Sequence, residues 1–211
     1  MKNYLSFLLL SLLVLSCSKP EKKAGKINLQ LVVYNDPNGD LYNSFLMEIT
    51  DLYFIGNRFL EKLPYPNDSL GVPKFYYIHK NRFAPANSLE EIKSQSTLSF
   101  QDVTEKIHGS QFVIPDIPGY DKRASLPDTN FNGYSYKRVR IATDSVYSVF
   151  YIHQTDTVLP FSINPAIEKE YSGILNRVDS YNRVEDKFYS LRMTVTDTIP
   201  QSIFDVLNSV K

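Results

Sequence analysis

Oxygen-bearing side chains alternate early in the chain, in the order Asp36, Asn38 and Asp40. Oxygen ligands at positions 1, 3 and 5 begin the loops that wrap Ca²⁺ in EF-hands. Such a loop also needs glycine at position 6 and a bidentate glutamate at position 12, where this chain has Leu41 and Met47. The Asn-Gly pair that starts at Asn38 favours a tight reversal between two strands. The sequence therefore predicts a hairpin turn here, with a weak exposed calcium site as the alternative.

The residues that usually carry catalysis or bind a cofactor form no familiar motif. The three histidines, His79, His108 and His153, lie 29 and 45 residues apart and form no zinc-ligand pair. The chain has no nucleophile elbow, Walker loop or dinucleotide-binding glycine motif. Neighbouring carboxylates such as Glu90 and Glu91 rarely face one cavity. We therefore expect a non-enzymatic protein with no metal and no cofactor, and a hydrolase with scattered carboxylates is the least favoured alternative.

Composition and charge limit the kinds of partner. The 211 residues are 43% hydrophobic and 22% charged, which is typical of a folded chain. The 23 basic side chains balance 23 acidic ones, so the formal net charge is zero. Nucleic-acid binding depends on a surplus of Lys and Arg, because phosphates are neutralised by cationic side chains. The sequence therefore predicts no nucleic-acid partner.

The first residues read as an export signal. An apolar run of eleven residues extends from Leu5 to Leu15, whereas a membrane-spanning helix needs about 20. The residues from Leu13 to Cys17 resemble the lipobox of bacterial lipoproteins, in which cleavage precedes a cysteine that carries acyl chains such as palmitate. The resemblance implies a signal peptide over residues 1–16, a lipidated Cys17 with a flexible tether to residue 26, and one domain over residues 27–211.

The tether also indicates where the anchor would lie. It contains four lysines and one acidic residue, Glu21. The N-terminal segment resembles that of Bacteroidota-type lipoproteins. In those proteins, an acidic cluster after the cysteine directs the protein to the cell surface, and no such cluster follows Cys17. Ser18, the residue after the cysteine, favours the outer over the inner membrane by the same kind of resemblance. The sequence therefore predicts a lipid anchor in the outer membrane, on the periplasmic face rather than on the cell surface.

Apolar residues recur mainly with the period of two that is typical of strands with one buried face. Short helices are predicted after Ser88, after Asn164 and near the C-terminus. We therefore expect an all-β fold, an antiparallel β-sandwich of Ig-like or transthyretin-like type with a few short helices. The segments 48–54 and 136–141 are similar to strands of uncharacterised lipoprotein β-sandwich domains, which implies the same fold. The predicted strands are 27–33, 45–54, 74–79, 98–103, 111–114, 134–142, 146–153, 158–163 and 187–196.

An Asp-Ser/Thr pair followed by an aliphatic residue recurs four times. Asp followed by Ser or Thr forms Asx-type turns, so the pattern is typical of hairpin ends. The same triplet resembles the O-glycosylation site of exported Bacteroidota proteins. That resemblance implies candidate acceptors at Ser69, Ser145, Thr157 and Thr198.

The chain is rich in tyrosine, with 15 residues, and has no tryptophan. Clustered tyrosines can form a protein interface or a stacking platform for sugars, although strand cores use them equally well. Three hypotheses follow in order of preference. The first is a binding or structural component of a cell-envelope protein complex, the second is a glycan- or small-ligand-binding lipoprotein, and the third is a hydrolase. Aromatic residues gathered on an exposed face would favour the second.

Overall fold

The computed structural model describes residues 21–35, 44–95, 98–110, 117–131 and 133–209. Within these ranges the chain forms eleven strands and three α-helices. The strands are β1 (Ala24–Tyr34), β2 (Ser44–Ile55), β3 (Arg58–Lys62), β4 (Phe75–His79), β5 (Arg82–Ala86), β6 (Gln101–Asp102), β7 (Ala124–Phe131), β8 (Tyr134–Ala142), β9 (Val146–Gln154), β10 (Gly173–Asn182) and β11 (Lys187–Thr196). The helices are α1 (Leu89–Ser94), α2 (Pro165–Tyr171) and α3 (Gln201–Ser209).

All eleven strands belong to one antiparallel sheet in the order β6-β5-β4-β3-β2-β1-β11-β10-β9-β8-β7. Two meanders therefore meet where β1 pairs with β11, from Lys26 opposite Thr196 to Tyr34 opposite Phe188. We call β1–β6 the N-terminal arm and β7–β11 the C-terminal arm. The first and last strands hold the two arms together from Lys26 to Tyr34 of β1.

Local turn chemistry explains why neighbouring strands pair in sequence. β4 and β5 are joined by Lys80 and Asn81, which both have positive φ, as a two-residue type I′ hairpin requires. β2 and β3 are joined by two residues that begin with Gly56 at φ +59°. Such tight turns match the twist of the flanking strands, so each strand pairs with the next one along the chain.

Within the C-terminal arm, β10 and β11 separate at one end of their contact. The pairing between these strands runs from Arg177 opposite Arg192 to Asn182 opposite Lys187. Beyond Arg177, residues 173–175 of β10 pair with β9, while residues 193–196 of β11 pair with β1. Asn176 is the bulge residue of β10, because the β9 register jumps from Leu175 to Arg177. Bulges bend a strand and re-aim its side chains, and this one lies at the start of the split.

Each arm buries its apolar residues against short connecting segments. Side chains alternate between the two sides of β2 and β3, so the side bearing Phe54 and Phe59 packs with Phe161 from the β9–α2 connection. The opposite side packs against α1 and α3, with Leu60 and Leu207 fully buried. In the C-terminal arm, Ile167 of α2 is buried against β8, β9 and β10. Helices and loops thus cover the sheet where a second sheet would lie in a sandwich.

The prediction of an all-β fold with a few short helices is confirmed. The Ig-like or transthyretin-like sandwich differs from the observed arrangement, because the described strands form one sheet rather than two packed sheets. The difference arises from the β1–β11 pairing, which joins what would have been separate sheets. Alternation along a strand reports which face is buried and carries no information on what covers it.

Most predicted elements lie close to their observed positions. β8 and β11 have the predicted limits, and all three predicted helices are present. Ser88 caps α1 by accepting from the Glu91 amide, and Asn164 caps α2 in the same way. The predicted strand 158–163 is instead a connection that contains Pro160 and buries Phe161. β1 begins at Ala24, inside the predicted tether.

Several predictions fall outside the described residues. They are the signal peptide, the lipidated Cys17, the calcium alternative at Asp36, Asn38 and Asp40, and the predicted strand 111–114. Among the helices that the structure describes, none is long and apolar enough to cross a membrane.

Candidate ligand-binding site

A cavity of about 680 Å³ opens where β10 and β11 separate. We call it the aromatic pocket. It lies between β8–β10 on one side and β11 on the other, and the β9–α2 connection contributes to its wall. Its lining residues are Lys22, Phe131, Tyr134, Tyr136, His153, Thr155, Thr157, Leu159, Ile174, Asn176, Arg177, Arg192, Met193, Thr194 and Val195. A volume of this size is typical of a site for a small organic molecule.

Aromatic rings form one wall of the pocket. Phe131 stacks on Tyr136 with ring centroids 3.9 Å apart and planes only 4° from parallel. Tyr134 meets His153 edge to face, with centroids 5.0 Å apart. The cluster forms because β7–β8 and β8–β9 place these residues at neighbouring register positions, with Tyr136 opposite His153. Tyr136 is buried, whereas Tyr134 keeps 54% of its surface exposed, so the wall reaches solvent at one end.

Two arginines line the pocket where the strands part. Arg177 and Arg192 are directly opposite each other in the β10–β11 register. Arg177 lies over the ring of Tyr151 at 5.2 Å, and its Nε donates to Asp179 Oδ1 at 2.7 Å. Arg192 donates through Nη2 to the Tyr34 hydroxyl at 2.7 Å. These contacts, all with residues on the strands of the sheet, hold both guanidinium groups in place.

Two buried polar atoms in the wall have no hydrogen-bond partner among the described residues. They are Nδ1 of His153 and Oδ1 of Asn176, and both residues line the pocket. Buried polar atoms normally have a partner, since leaving one unsatisfied costs about 1–3 kcal/mol. Both atoms can accept a hydrogen bond from a hydroxyl group. The pocket wall therefore combines an aromatic surface with two residues whose buried polar atoms lack a described partner.

A second cavity of about 550 Å³ shares Thr155, Thr157, Leu159 and Ile174 with the aromatic pocket. Glu168 of α2 lines it, and its Oε1 accepts from the Leu175 amide at 2.9 Å. Burial raises the pKa of Glu168, and the Leu175 hydrogen bond opposes that rise. The carboxylate joins α2 to the start of β10, so its described contacts indicate a structural role.

A polar cleft of about 560 Å³ on the N-terminal arm contains two carboxylates, Glu48 and Asp51, which are the candidates for the acid–base pair of a hydrolase. Asn28 Nδ2 donates to Glu48 at 3.0 Å and to Asp51 at 2.9 Å. Gln30 also donates to Glu48, at 2.7 Å, and Lys26 pairs with Asp51 at 2.9 Å. These contacts tie β1 to β2 across the bulge, because both carboxylates are engaged by side chains of β1. The arrangement favours a structural network over an acid–base pair.

The candidate glycosylation residues all lie outside the strands. Ser69 and Ser145 are exposed, in a 3₁₀-helix and in the β8–β9 hairpin. In that hairpin the Val146 amide donates to Thr143 Oγ1 at 3.0 Å. Thr198 is exposed after β11, whereas Thr157 is half-buried and lines the aromatic pocket. Glycosylation at these four residues stays a prediction.

No pattern in the sequence indicates that the residues lining the aromatic pocket lie together. The sequence indicates clustered tyrosines, among them Tyr134 with Tyr136, but it predicts neither β7 nor β10. β10 has few β-branched residues, so its Arg177 and Asn176 gave no local signal. The spacing of the histidines indicates no site in the sequence, and His153 lies near the end of β9 with its Nδ1 buried. Among the described residues, no three His, Cys, Asp or Glu side chains are grouped to hold a metal.

No known protein family matches the chain, and no curated protein is similar to it. Among solved structures, the chain resembles PNGF-II at 7% identity and a TM-score of 0.31. That likeness covers 88% of this chain and 30% of PNGF-II, so the chain spans less than a third of that protein. It also resembles an outer membrane lipoprotein-sorting protein domain from Vibrio parahaemolyticus, at 11% identity and a TM-score of 0.29 over 92% and 94% of the two chains. Similarity this low carries no argument about what the chain binds.

Proposed function

We propose that the protein is a non-enzymatic lipoprotein of the bacterial outer membrane that binds a small hydroxylated ligand, such as a saccharide, in the aromatic pocket. The lipobox resemblance at Cys17 supports the anchor. The observation that carries the binding function is the pocket itself, in which an aromatic wall borders the unpartnered Nδ1 of His153 and Oδ1 of Asn176. Sugar rings stack on aromatic faces through their C–H groups, while their hydroxyls donate to buried acceptors.

Tyr134 is the residue with which to test this proposal. It lines the pocket and contacts His153, but more than half of its surface is exposed, so its truncation should leave the fold intact. Tyr65 has a similar exposure, 66%, and lies outside the pocket, which makes Tyr65→Ala the matched control. Loss of one aromatic contact of about 1 kcal/mol should weaken binding about fivefold.

The experiment uses the full-length lipoprotein in detergent micelles. Binding is first screened on a glycan array, and the affinity of each saccharide that binds is then measured by titration calorimetry. We expect Tyr134→Ala to weaken binding and Tyr65→Ala to leave it unchanged. If no saccharide binds, or if both variants bind as the wild type does, the proposal is refuted.

A role in an envelope protein complex is the second candidate, and one feature of β2 favours it. Phe45, Leu46 and Met47 are exposed by 61%, 50% and 36%. β3 pairs with β2 only from Asp51 onward, so among the described strands this apolar stretch pairs with β1 alone. An apolar strand edge of this kind can accept a strand from a partner.

Crosslinking and affinity purification from the protein's own outer membranes test the second candidate. Leu46→Lys is the informative variant, since Leu46 is exposed and a charge there opposes strand addition. A co-purifying envelope protein that is lost in Leu46→Lys would support the complex. Recovery of the lipoprotein alone, or of the same partner with the variant, would exclude this surface. Cys17→Ala serves as the control for membrane anchoring.

A further inference from the structure

We propose that the ligand of the aromatic pocket is an acidic saccharide, and that its carboxylate binds between Arg177 and Arg192. This inference rests on the proposed function and narrows it to one class of sugar. It depends on three observations: the arginine pair, the charge of the lining residues and the unpartnered polar atoms of His153 and Asn176.

The arginine pair is an unfavourable arrangement for a sheet without a bound anion. Arg177 and Arg192 are directly opposite each other, and like charges at such positions destabilise strand pairing. They also form the last pair before β10 and β11 separate, so both border the cavity. A carboxylate placed between them would meet two guanidinium groups, which are the side chains best suited to bidentate carboxylate binding.

The described contacts of the pair leave one positive charge without a carboxylate partner. Asp179 Oδ1 accepts from Arg177 at 2.7 Å and from the Ser190 hydroxyl at 2.7 Å. Arg192 donates to neutral oxygens, at 2.7 Å to Tyr34 and at 3.2 Å to Ser190. The pair thus has two guanidinium groups and one carboxylate, Asp179, which contacts Arg177 directly. A ligand carboxylate would supply the second negative charge.

The rest of the lining has the same sign. Lys22 is the third cation of the pocket, and the lining residues include neither Asp nor Glu. Lys22 pairs with Asp197, whose side chain is 88% exposed and lies outside the lining. A cavity lined by cations with apolar walls attracts anions, because the field is weakly screened where water is limited.

The unpartnered acceptors distinguish a sugar acid from a simple anion. Asn176 is the bulge residue next to Arg177, and its Oδ1 needs a donor rather than a second anion. The Nδ1 of His153 likewise accepts a hydrogen bond when the ring is neutral. A sugar hydroxyl can donate to each of them while the carboxylate reaches the arginines. A ligand with hydroxyls, a ring face and one carboxylate satisfies all three features.

Two probes of nearly equal size test the acidic group directly. They are 4-nitrophenyl β-D-glucuronide and 4-nitrophenyl β-D-glucoside, which differ in the carboxylate. Titration calorimetry on the full-length wild-type lipoprotein should give at least about tenfold tighter binding of the glucuronide, because a charge-assisted hydrogen bond contributes about 1.5–3 kcal/mol. This comparison needs no variant, so it does not depend on how a mutant folds.

Variants then locate the carboxylate. Arg192→Gln should abolish the preference for the glucuronide and keep binding of the glucoside, while Arg192→Lys, which retains the charge, should keep part of it. Arg140→Gln is the matched control, because Arg140 is exposed on β8 and lies outside the lining. Circular dichroism and the unfolding temperature establish that each variant is folded.

The outcomes separate the two proposals. Equal binding of both sugars to the wild type would overturn the acidic-ligand inference and leave saccharide binding standing. A preference that survives in folded Arg192→Gln would also overturn it, because the carboxylate would then bind elsewhere. If neither sugar binds while a neutral saccharide found on the array does, the inference fails alone. If no saccharide of either kind binds, the proposed function fails with it.

Discussion

A buried ion pair between β3 and the segment after β6 supports a quantitative prediction about stability. The side chains of Glu61 and Lys106 are both fully buried, with 2.9 Å between Glu61 Oε2 and Lys106 Nζ. At this distance the two groups of opposite charge form an ion pair. Lys106 Nζ also donates to the carbonyl oxygens of His108, at 2.7 Å, and Ser110. Burial lowers the pKa of Lys106, and the Glu61 carboxylate opposes that change.

Removing either partner leaves the other charge buried and uncompensated, so the costs of the two single variants should not add. Lys106→Met leaves the Glu61 carboxylate buried without its cation, and Glu61→Gln leaves the ammonium group without its anion. Breaking a buried pair in this way costs about 3–5 kcal/mol of unfolding free energy. The double variant carries neither charge, and glutamine can still accept from the Ser110 amide as Glu61 does. Its cost should therefore fall short of the sum of the single costs by roughly 3 kcal/mol.

Urea unfolding of the full-length protein, followed by circular dichroism, measures these free energies. Lys93→Met is the matched control, since Lys93 is exposed on α1 and its loss should change stability by less than about 0.5 kcal/mol. Two results would refute the reasoning. One is a cost below about 1 kcal/mol for Lys106→Met, and the other is a double variant whose cost equals the sum of the singles.

Three further predictions concern a carboxylate, a helix and a glycine. Burial holds the pKa of Glu168 above its ordinary value of 4.5, so ionisation of this carboxyl group opposes folding as the pH rises through that value. Glu168→Gln should therefore raise the unfolding temperature at neutral pH and leave it unchanged in acid. An effect that does not depend on pH would contradict this prediction. Leu207 is fully buried on α3, so Leu207→Ala should lower the free energy of unfolding by about 2–5 kcal/mol, measured in urea. Phe204 on the same helix is 41% exposed, so Phe204→Ala should lower it far less. Equal losses would mean that α3 does not pack on the sheet. Gly109→Ala should destabilise the protein more than Gly56→Ala by thermal melting, because both residues have positive φ but only the Gly109 Cβ would meet the Glu61 carboxylate, at 2.2 Å; similar melting temperatures would show that the loop can move.

Much of the secondary structure was determined by the sequence alone. Alternation identified β8 and β11, and capping residues located α1 and α2, because both signals depend on neighbours within a few residues. The lipobox resemblance at Cys17 is likewise local. The apolar face of the predicted strand 45–54 switches at Asp51, which indicates a bulge or a strand end near that residue. The structure has a bulge at Ile49, because Thr50 and Glu48 pair with consecutive residues of β1.

Only the tertiary structure decided how the strands are joined and where a ligand could bind. The β1–β11 pairing connects the two ends of the chain, and no local pattern reports a partner so distant in sequence. The same pairing separates β11 from β10 beyond Arg192, which opens the cavity and brings Tyr136, Asn176 and Arg177 to one wall. The apolar residues of the segment 158–163 favour a strand in the sequence, whereas in the structure Phe161 packs into the core cluster that contains Ile174 of β10 and Met193 of β11. Apolar periodicity reports burial, and only the folded chain determines which surface provides it.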